Sequence, residues 1–292
     1  MVFFSRLSKQ DSTLPTINSF ISRRTLFKHL GVAATATALG SGLQALSPLN
    51  VHANEGPAVK TSGKNVVLVH GAFADASSWN DVTVLLQQAG YQVIAVELPL
   101  ASLADDIDVT RQALASLSGP TVLVGHSYGG AVITGAGASA SNVISLVYIA
   151  AFAPAEGETI ADLNGRYPAA FGAKYIVPSY RKDFVWIDPP FFPEVFVEDI
   201  DVRQARALAA SQKPIAGANF AEKAGPAAWQ HLPSWYLVSQ QDKAINPDLE
   251  RWMAKRINAT TREIQSSHAS LISHPRAVAE TILAATKESA KH

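Results

Sequence analysis

The chain contains 292 residues, no cysteine, and 24 basic against 24 acidic side chains. The absence of cysteine excludes disulfides, thiolate metal sites and a catalytic thiol, and a formal net charge of zero argues against a nucleic-acid binder, which normally carries a basic surplus. With 48% apolar and 16% charged residues, the composition is that of a globular protein long enough to bury a large core.

The first 53 residues have the pattern of an export signal. They hold five basic side chains and one acidic side chain, which leaves 19 bases and 23 acids in residues 54–292. A basic region with Arg23-Arg24 precedes a mildly apolar stretch from Leu30 to Leu46, and Val51-His52-Ala53 fits a cleavage site. This order resembles a twin-arginine signal. We therefore expect a signal peptide over residues 1–53 and a mature bacterial protein in the periplasm or outside the cell.

This expectation has consequences for partners and location. The segment would engage the export machinery, and its apolar stretch is too short and too diluted with polar residues for a stable membrane span. An amphipathic or disordered N-terminal tail is the alternative interpretation of the same residues.

From residue 65 onward, short apolar runs alternate with helical patterns. This alternation predicts an α/β fold with a mostly parallel sheet of about six strands flanked by helices. The predicted strands are Asn65–His70, Gln92–Glu97, Thr121–Val124, Val143–Ala150, Ser234–Ser239 and Arg262–Gln265. The predicted helices are Ser78–Ala89, Ser102–Leu117, 128–139, Pro247–Ile257 and one that begins at Pro275.

The alternation is interrupted over residues 154–233, a segment called the insertion below. It holds 11 of the 24 aromatic residues and one helical stretch, Val202–Ala210. We expect a lid domain here, inserted between two parts of the core, residues 54–153 and 234–292. Because apolar walls line most small-molecule sites, we expect Trp186, Phe191 and Phe192, with Phe73 of the core, to contact substrate.

The strongest chemical motif is Gly125-His126-Ser127-Tyr128-Gly129-Gly130, which lies between a β-branched strand and a helix. In the G-x-S-x-G pattern, serine occupies a strained strand-to-helix turn, and its neighbours must be small so that the backbone can pack. The turn exposes the hydroxyl at the carboxyl edge of the sheet, where open α/β sheets bind ligands. Ser127 is therefore the candidate nucleophile.

A serine nucleophile needs a base, and the base needs an acid, in the chain order Ser, Asp, His. Asp242 and His268 each follow a late predicted strand, at the same sheet edge as Ser127. His268 would take the proton of Ser127, and Asp242 would hold the imidazole tautomer. Glu156 is the rival acid and His274 the rival base, although His274-Pro275 has the pattern of a helix start. The turn geometry is expected to direct His126 away from the site.

An oxyanion forms during acyl transfer and needs two backbone donors. One is the amide of Tyr128, the residue after the nucleophile, and the other lies in the loop after the first core strand. In that loop we favour Ala72 over Phe73, because Gly71 allows a close approach of the backbone. His70 is expected to brace the loop by hydrogen bonding.

The sequence around these residues resembles proteins of the α/β-hydrolase fold, and in particular the branch that contains plant methyl esterases and hydroxynitrile lyases. The similar stretches include VVLVHGAF, VLVGHSYGG, WYLVSQQDKAINPDLERWM and SSHASLISHP. The resemblance implies a triad of Ser127, Asp242 and His268, with the amides of Ala72 and Tyr128 as the oxyanion hole. The lyases carry threonine in place of Gly71 and lysine in place of Ala269, so the resemblance favours hydrolysis.

The leading hypothesis is thus a serine esterase that cleaves a small or medium apolar carboxylic ester through an acyl-enzyme. Two alternatives stay open: lyase or cofactor-free perhydrolase chemistry on the same residues, and a non-catalytic protein that senses a ligand. The sequence contains no H-E-x-x-H motif and no dinucleotide glycine fingerprint after the first strand. We expect no metal, no cofactor and no nucleic-acid partner.

Overall fold

The computed structural model describes residues 64–289; the expected export segment, residues 1–53, lies outside them. The strands are β1 (Asn65–Val69), β2 (Gln92–Val96), β3 (Thr121–His126), β4 (Val143–Ile149), β5 (Ile176–Pro178), β6 (Phe184–Ile187), β7 (Ile215–Ala216), β8 (Ser234–Ser239) and β9 (Thr260–Ile264). The helices are α1 (Asn80–Gln88), α2 (Leu103–Ala115), α3 (Gly129–Ala136), α4 (Ile160–Asn164), α5 (Phe192–Phe196), α6 (Val202–Ser211), α7 (Pro247–Arg256), α8 (Ser270–Ser273) and α9 (Pro275–Ser289).

Six strands form the central sheet in the order β2-β1-β3-β4-β8-β9, and every neighbouring pair is parallel. The predicted parallel sheet of about six strands is therefore confirmed. Strands β1, β3 and β8 are buried along their whole length, as expected for apolar runs covered by helices on both faces. The edge strand β9 is mostly exposed and carries polar side chains.

Several helix ends differ from the predicted ones by a few residues. The first helix begins at Asn80, because the Asp75 carboxylate caps a short 3-10 turn over Ala76–Trp79 by accepting from the Ser77 amide at 2.8 Å. Helix α2 begins as predicted, with the Ser102 hydroxyl accepting from the amide of Asp105 at 3.0 Å. Such caps satisfy amides that have no partner within the helix.

The insertion contains more regular structure than its sequence pattern indicates. Strands β5, β6 and β7 form an antiparallel sheet, and α5 packs against α6. Only α6 is predicted from the sequence, because the other elements are two to five residues long and short elements show no clear periodicity. Hydrogen bonds connect the insertion to the core, including the Ala216 amide to the Leu100 carbonyl at 2.9 Å and the Gly172 amide to the Lys243 carbonyl at 2.7 Å.

The carboxyl ends of β3, β8 and β9 lie at one edge of the central sheet because the strands are parallel. Ser127 directly follows β3, Asp242 comes three residues after β8, and His268 comes four residues after β9. The topology therefore brings the three predicted residues to the same edge of the sheet.

Within residues 64–289, no helix combines the length and the hydropathy that a membrane crossing needs.

Candidate active site

Ser127 occupies a strained turn between β3 and α3. Its φ angle is +53°, in the left-handed region that non-glycine residues rarely adopt. Hydrogen bonds hold this conformation: the Ser127 carbonyl accepts from the amides of Gly130 and Phe152, both at 3.0 Å, and its amide donates to the Ile149 carbonyl at 3.2 Å. Strain of this kind costs about 1–3 kcal/mol and is typical of nucleophile turns.

The glycines around Ser127 are required by close packing of the backbone. A β-carbon on Gly125 would lie 2.5 Å from the Gly129 carbonyl oxygen, and one on Gly129 would lie 2.6 Å from the His70 carbonyl oxygen. A β-carbon on Gly71, in the loop after β1, would lie 2.7 Å from the β-carbon of Ser127. Real β-carbons do not approach other atoms so closely. A side chain at any of these three glycines would therefore prevent the backbone around Ser127 from packing as it does.

His268 and Asp242 form a buried pair. His268 Nδ1 lies 2.5 Å from Asp242 Oδ2, and both side chains are almost completely buried. The other oxygen of Asp242 accepts from the amides of Ala244 and Ile245, at 2.6 and 2.8 Å. These contacts hold the carboxylate in one orientation and leave His268 Nε2 available for proton transfer.

Ser127 and His268 line the same pocket, without a hydrogen bond between their side chains, as is common before substrate binds. The rival residues lie elsewhere: Glu156 is exposed, and His274 precedes α9, with its Nδ1 2.8 Å from the Ser273 hydroxyl. His70 braces its loop, since its Nδ1 bonds the Gly71 carbonyl at 2.8 Å and its Nε2 accepts from the Leu98 amide at 3.0 Å.

His126 does not point away from the site, contrary to the sequence-based expectation. Its Nε2 bonds the His268 carbonyl at 3.1 Å, and the two rings are 4.7 Å apart. Burial, followed by the nearby His268, lowers the pKa of His126 well below its usual range, so the ring is neutral. The local sequence around His126 could not predict this contact, because His126 and His268 are 142 positions apart in the chain.

The pocket beside Ser127 is small and mainly apolar, with a volume of about 50 Å³. It is lined by Ala72, Phe73, Ser127, Tyr128, Phe152, Asn164, Gly172, Ile176, Ile187, Val195, Phe196, Phe220, Ala244, Ile245 and His268. The residues chosen for the oxyanion hole, Ala72 and Tyr128, with Phe73 as the alternative, thus all border the space next to the candidate nucleophile.

Of the four aromatic residues predicted to contact substrate, only one lines this pocket. Phe73 lines it, and Phe192 lines an adjoining cavity of about 230 Å³ that also contacts Phe73. Trp186 and Phe191 lie elsewhere, which corrects their assignment as pocket residues: Trp186 packs edge-on against Tyr180 at 5.5 Å, and Phe191 stacks on Tyr175 at 4.0 Å. Rings in a small domain mostly pack against one another, and sequence could not separate the two roles.

Tyr128 anchors a second buried network. Its hydroxyl donates to Asp106 Oδ2 at 2.7 Å and accepts from Asn219 Nδ2 at 3.0 Å. Asp106 Oδ1 accepts from the Leu100 amide at 2.8 Å. Burial raises the pKa of Asp106 to about 6, against the opposing effect of these hydrogen bonds. Burial and the neighbouring Asp106 raise the pKa of Tyr128 as well, so the phenol stays protonated and acts as a donor.

Within the described part of the chain, no group of three His, Asp or Glu side chains is arranged to hold a metal ion.

Comparison with known proteins identifies the family. Residues 66–281 match the alpha/beta hydrolase family. The alpha/beta hydrolase nvfD of Aspergillus novofumigatus is 25% identical over 76% of this chain and 96% of its own length, and methylesterase 8 of Arabidopsis thaliana is 24% identical over 76% and 89%. The crystal structure of a pyrethroid hydrolase from Sphingobium faniae aligns with a TM-score of 0.67 at 21% identity, over 78% of this chain and 99% of that protein. The chain therefore belongs to the alpha/beta hydrolase family, and the fold predicted from its sequence is confirmed.

Proposed function

We propose that this protein hydrolyses a carboxylic ester, with Ser127 as nucleophile, His268 as base and Asp242 as the acid that orients the base. The observation that carries the proposal is the 2.5 Å contact between His268 Nδ1 and Asp242 Oδ2, at a pocket that also contains the strained Ser127. Relatives named as esterases, such as methylesterase 8, support the same class of reaction.

The reaction has two halves. In the first, Ser127 Oγ attacks the ester carbonyl carbon while His268 Nε2 takes the proton of the Ser127 hydroxyl. The amides of Tyr128 and Ala72, or alternatively Phe73, stabilise the oxyanion that forms. Collapse of this intermediate expels the alcohol, which receives the proton from His268. In the second half, water attacks the acyl-enzyme with His268 again as base, and the carboxylic acid leaves as Ser127 regains its proton.

The mainly apolar lining of the pocket supports a small or medium apolar ester as substrate. The insertion contributes several of the apolar walls, including Ile176, Val195 and Phe196, and this supports its predicted role as a lid. Hydrolysis is preferred to cyanohydrin cleavage, because any side chain at Gly71 would collide with Ser127 and because Ala269, after His268, carries no charge that could stabilise cyanide.

The test is hydrolysis of p-nitrophenyl esters of increasing acyl length by the full chain. Wild type should release nitrophenol, and Ser127→Ala should lower kcat by about 10³-fold or more. Ser145→Ala is the matched control, since Ser145 is buried in β4 and its hydroxyl has no hydrogen-bond partner in the described structure; it should retain activity. Full activity in Ser127→Ala would refute the assignment of Ser127 as the nucleophile. Cyanide release from mandelonitrile would support the lyase alternative, and tight ligand binding without turnover would support the sensor.

We also propose that residues 1–53 direct export, on the strength of Arg23-Arg24, the mildly apolar stretch and the Val51-His52-Ala53 site. N-terminal sequencing of the exported protein should begin at or near Asn54. A cytoplasmic protein that retains Met1 would contradict the proposal.

A further inference from the structure

Glu250 is a buried acid behind the candidate triad. It lies on α7 with 0% of its surface exposed, and its Oε2 accepts from the Ser239 amide at the end of β8, at 3.1 Å. Its other oxygen, Oε1, is buried and has no N–H or O–H donor among the described residues. A buried carboxylate without a cation is costly, so this side chain requires an explanation.

Among the described residues, no cation forms a salt bridge with Glu250. The adjacent Arg251 is engaged at the surface with Asp248 and Glu263, both at 2.8 Å. Tyr236, on β8, has its pKa raised by burial first and then by the charge of Glu250, and it donates to the Ala151 carbonyl at 2.5 Å. Within residues 64–289, the other ionisable group that acts on Glu250 is Asp242, which carries the same sign of charge.

Glu250 and Asp242 both bind Ser239 at the end of β8: the Ser239 amide donates to Glu250 Oε2 at 3.1 Å, and the Asp242 amide donates to the Ser239 carbonyl at 3.2 Å. Burial, followed by the charge and the nearby side chain of Asp242, raises the pKa of Glu250 well above its usual range. Two ionised carboxylates cannot share such a site, so one of them holds a proton. Asp242 has two amide donors and His268 to stabilise its negative charge, whereas Glu250 has a single amide. The proton therefore belongs to Glu250.

We propose that Glu250 is a positioning residue: as a neutral carboxylic acid, it donates a hydrogen bond to Asp242 and holds that carboxylate ionised and oriented toward His268. The role of Asp242 in this proposal rests on the proposed function. Because one Glu250 oxygen accepts from the Ser239 amide and the other donates to Asp242, the side chain also joins the end of β8 to the loop that carries Asp242.

The experiment compares three variants of the full chain. Glu250→Gln keeps one acceptor for Ser239 and one donor for Asp242, whereas Glu250→Leu removes both. Glu280→Gln is the matched control, because Glu280 is exposed on α9 and pairs with Arg262 at 3.6 Å. We expect Glu250→Gln to lower kcat less than about threefold, Glu250→Leu to lower it at least about tenfold with little change in KM, and Glu280→Gln to leave both unchanged.

A second readout does not depend on activity. The pKa of Glu250 is raised in the folded state, so its contribution to stability is fully present below the pKa of the unfolded chain and is lost as pH rises toward the folded value. As pH rises above the pKa of an unfolded glutamate, about 4.3, the denaturation midpoint of wild type should therefore fall relative to that of Glu250→Gln, while Glu280→Gln should follow wild type.

The two proposals fail in different ways. If wild type hydrolyses no ester, the proposed function fails, but the pH dependence of the midpoints still tests the proton on Glu250. If the midpoints of wild type and Glu250→Gln run parallel across the pH range, Glu250 is ionised in the folded protein and the inference is wrong. A folded Glu250→Gln whose kcat falls at least about tenfold would also overturn it, and this criterion holds whether or not Glu250→Leu folds.

Discussion

The hydroxyl of Tyr128 donates a 2.7 Å hydrogen bond to the buried carboxylate of Asp106. Tyr128 directly follows the candidate nucleophile, Asp106 lies on α2, and Asn219 of the insertion donates to the same hydroxyl at 3.0 Å. One phenol therefore links the nucleophile turn, the core and the insertion. Because buried polar networks are costly when incomplete, replacing any member should have measurable consequences.

Asp106→Asn should change how stability depends on pH. The folded pKa of Asp106 is about 6, above the unfolded value of about 3.9. Its stabilising contribution is thus present below about pH 4 and is lost as pH rises through about 6, by on the order of 2–3 kcal/mol. The free energy of unfolding of wild type should fall relative to that of Asp106→Asn over this range, as measured by urea denaturation.

The control for this prediction is Asp108→Asn, on the exposed side of the same helix. It should change the pH dependence far less than Asp106→Asn. A constant difference between wild type and Asp106→Asn at every pH would show that Asp106 titrates normally.

Tyr128→Phe should lower stability more than activity. The substitution leaves Asp106 Oδ2 and Asn219 Nδ2 without their shared partner, at a cost of about 2–3 kcal/mol. The backbone amide of residue 128 is retained, so ester hydrolysis should fall less than about tenfold. Tyr148→Phe is the matched control, because the Tyr148 hydroxyl bonds the Thr134 hydroxyl, at 2.9 Å, and the change should cost about 1 kcal/mol. Equal losses in the two variants would argue against the network.

Gly71→Ala should damage the site by steric collision. Its new methyl group would lie 2.7 Å from Ser127 Cβ and 3.1 Å from the His126 carbonyl oxygen, which forces the turn to shift at a cost of about 1–3 kcal/mol. We expect kcat/KM to fall by about 10²-fold, since small displacements of reacting groups have effects of that size. Gly225→Ala is the control, because nothing lies within 4 Å of its β-carbon position. Similar activity in both variants would be inconsistent with the packing described.

Val195→Ala should extend the range of acyl chains accepted. Val195 is 1% exposed and lines the pocket of about 50 Å³ beside Ser127, so its truncation enlarges the pocket at a cost of about 1–2 kcal/mol in stability. The ratio of kcat/KM for longer over shorter p-nitrophenyl esters should rise. Val202→Ala, at an exposed position of α6, should leave the ratio unchanged; an unchanged ratio in Val195→Ala would place the acyl chain elsewhere.

The sequence by itself determined the fold class and the order of the chemical elements. Alternating apolar runs predict the parallel sheet, and the glycines around Ser127 mark a strand-to-helix turn, because both signals are local in the chain. Parallel strands end at one edge, so the positions of Asp242 and His268 after late strands suffice to predict that they meet there. The short elements of the insertion had no such periodicity, and only α6 was predicted.

The tertiary structure decided which side chains touch. It shows that the carboxylate beside His268 belongs to Asp242 and not to the exposed Glu156. It also places His126 behind His268, and it buries Glu250 against the end of β8. No local pattern marks these contacts, because each depends on packing between residues from separate elements. Burial then sets which groups hold protons, and burial exists only once the chain has folded.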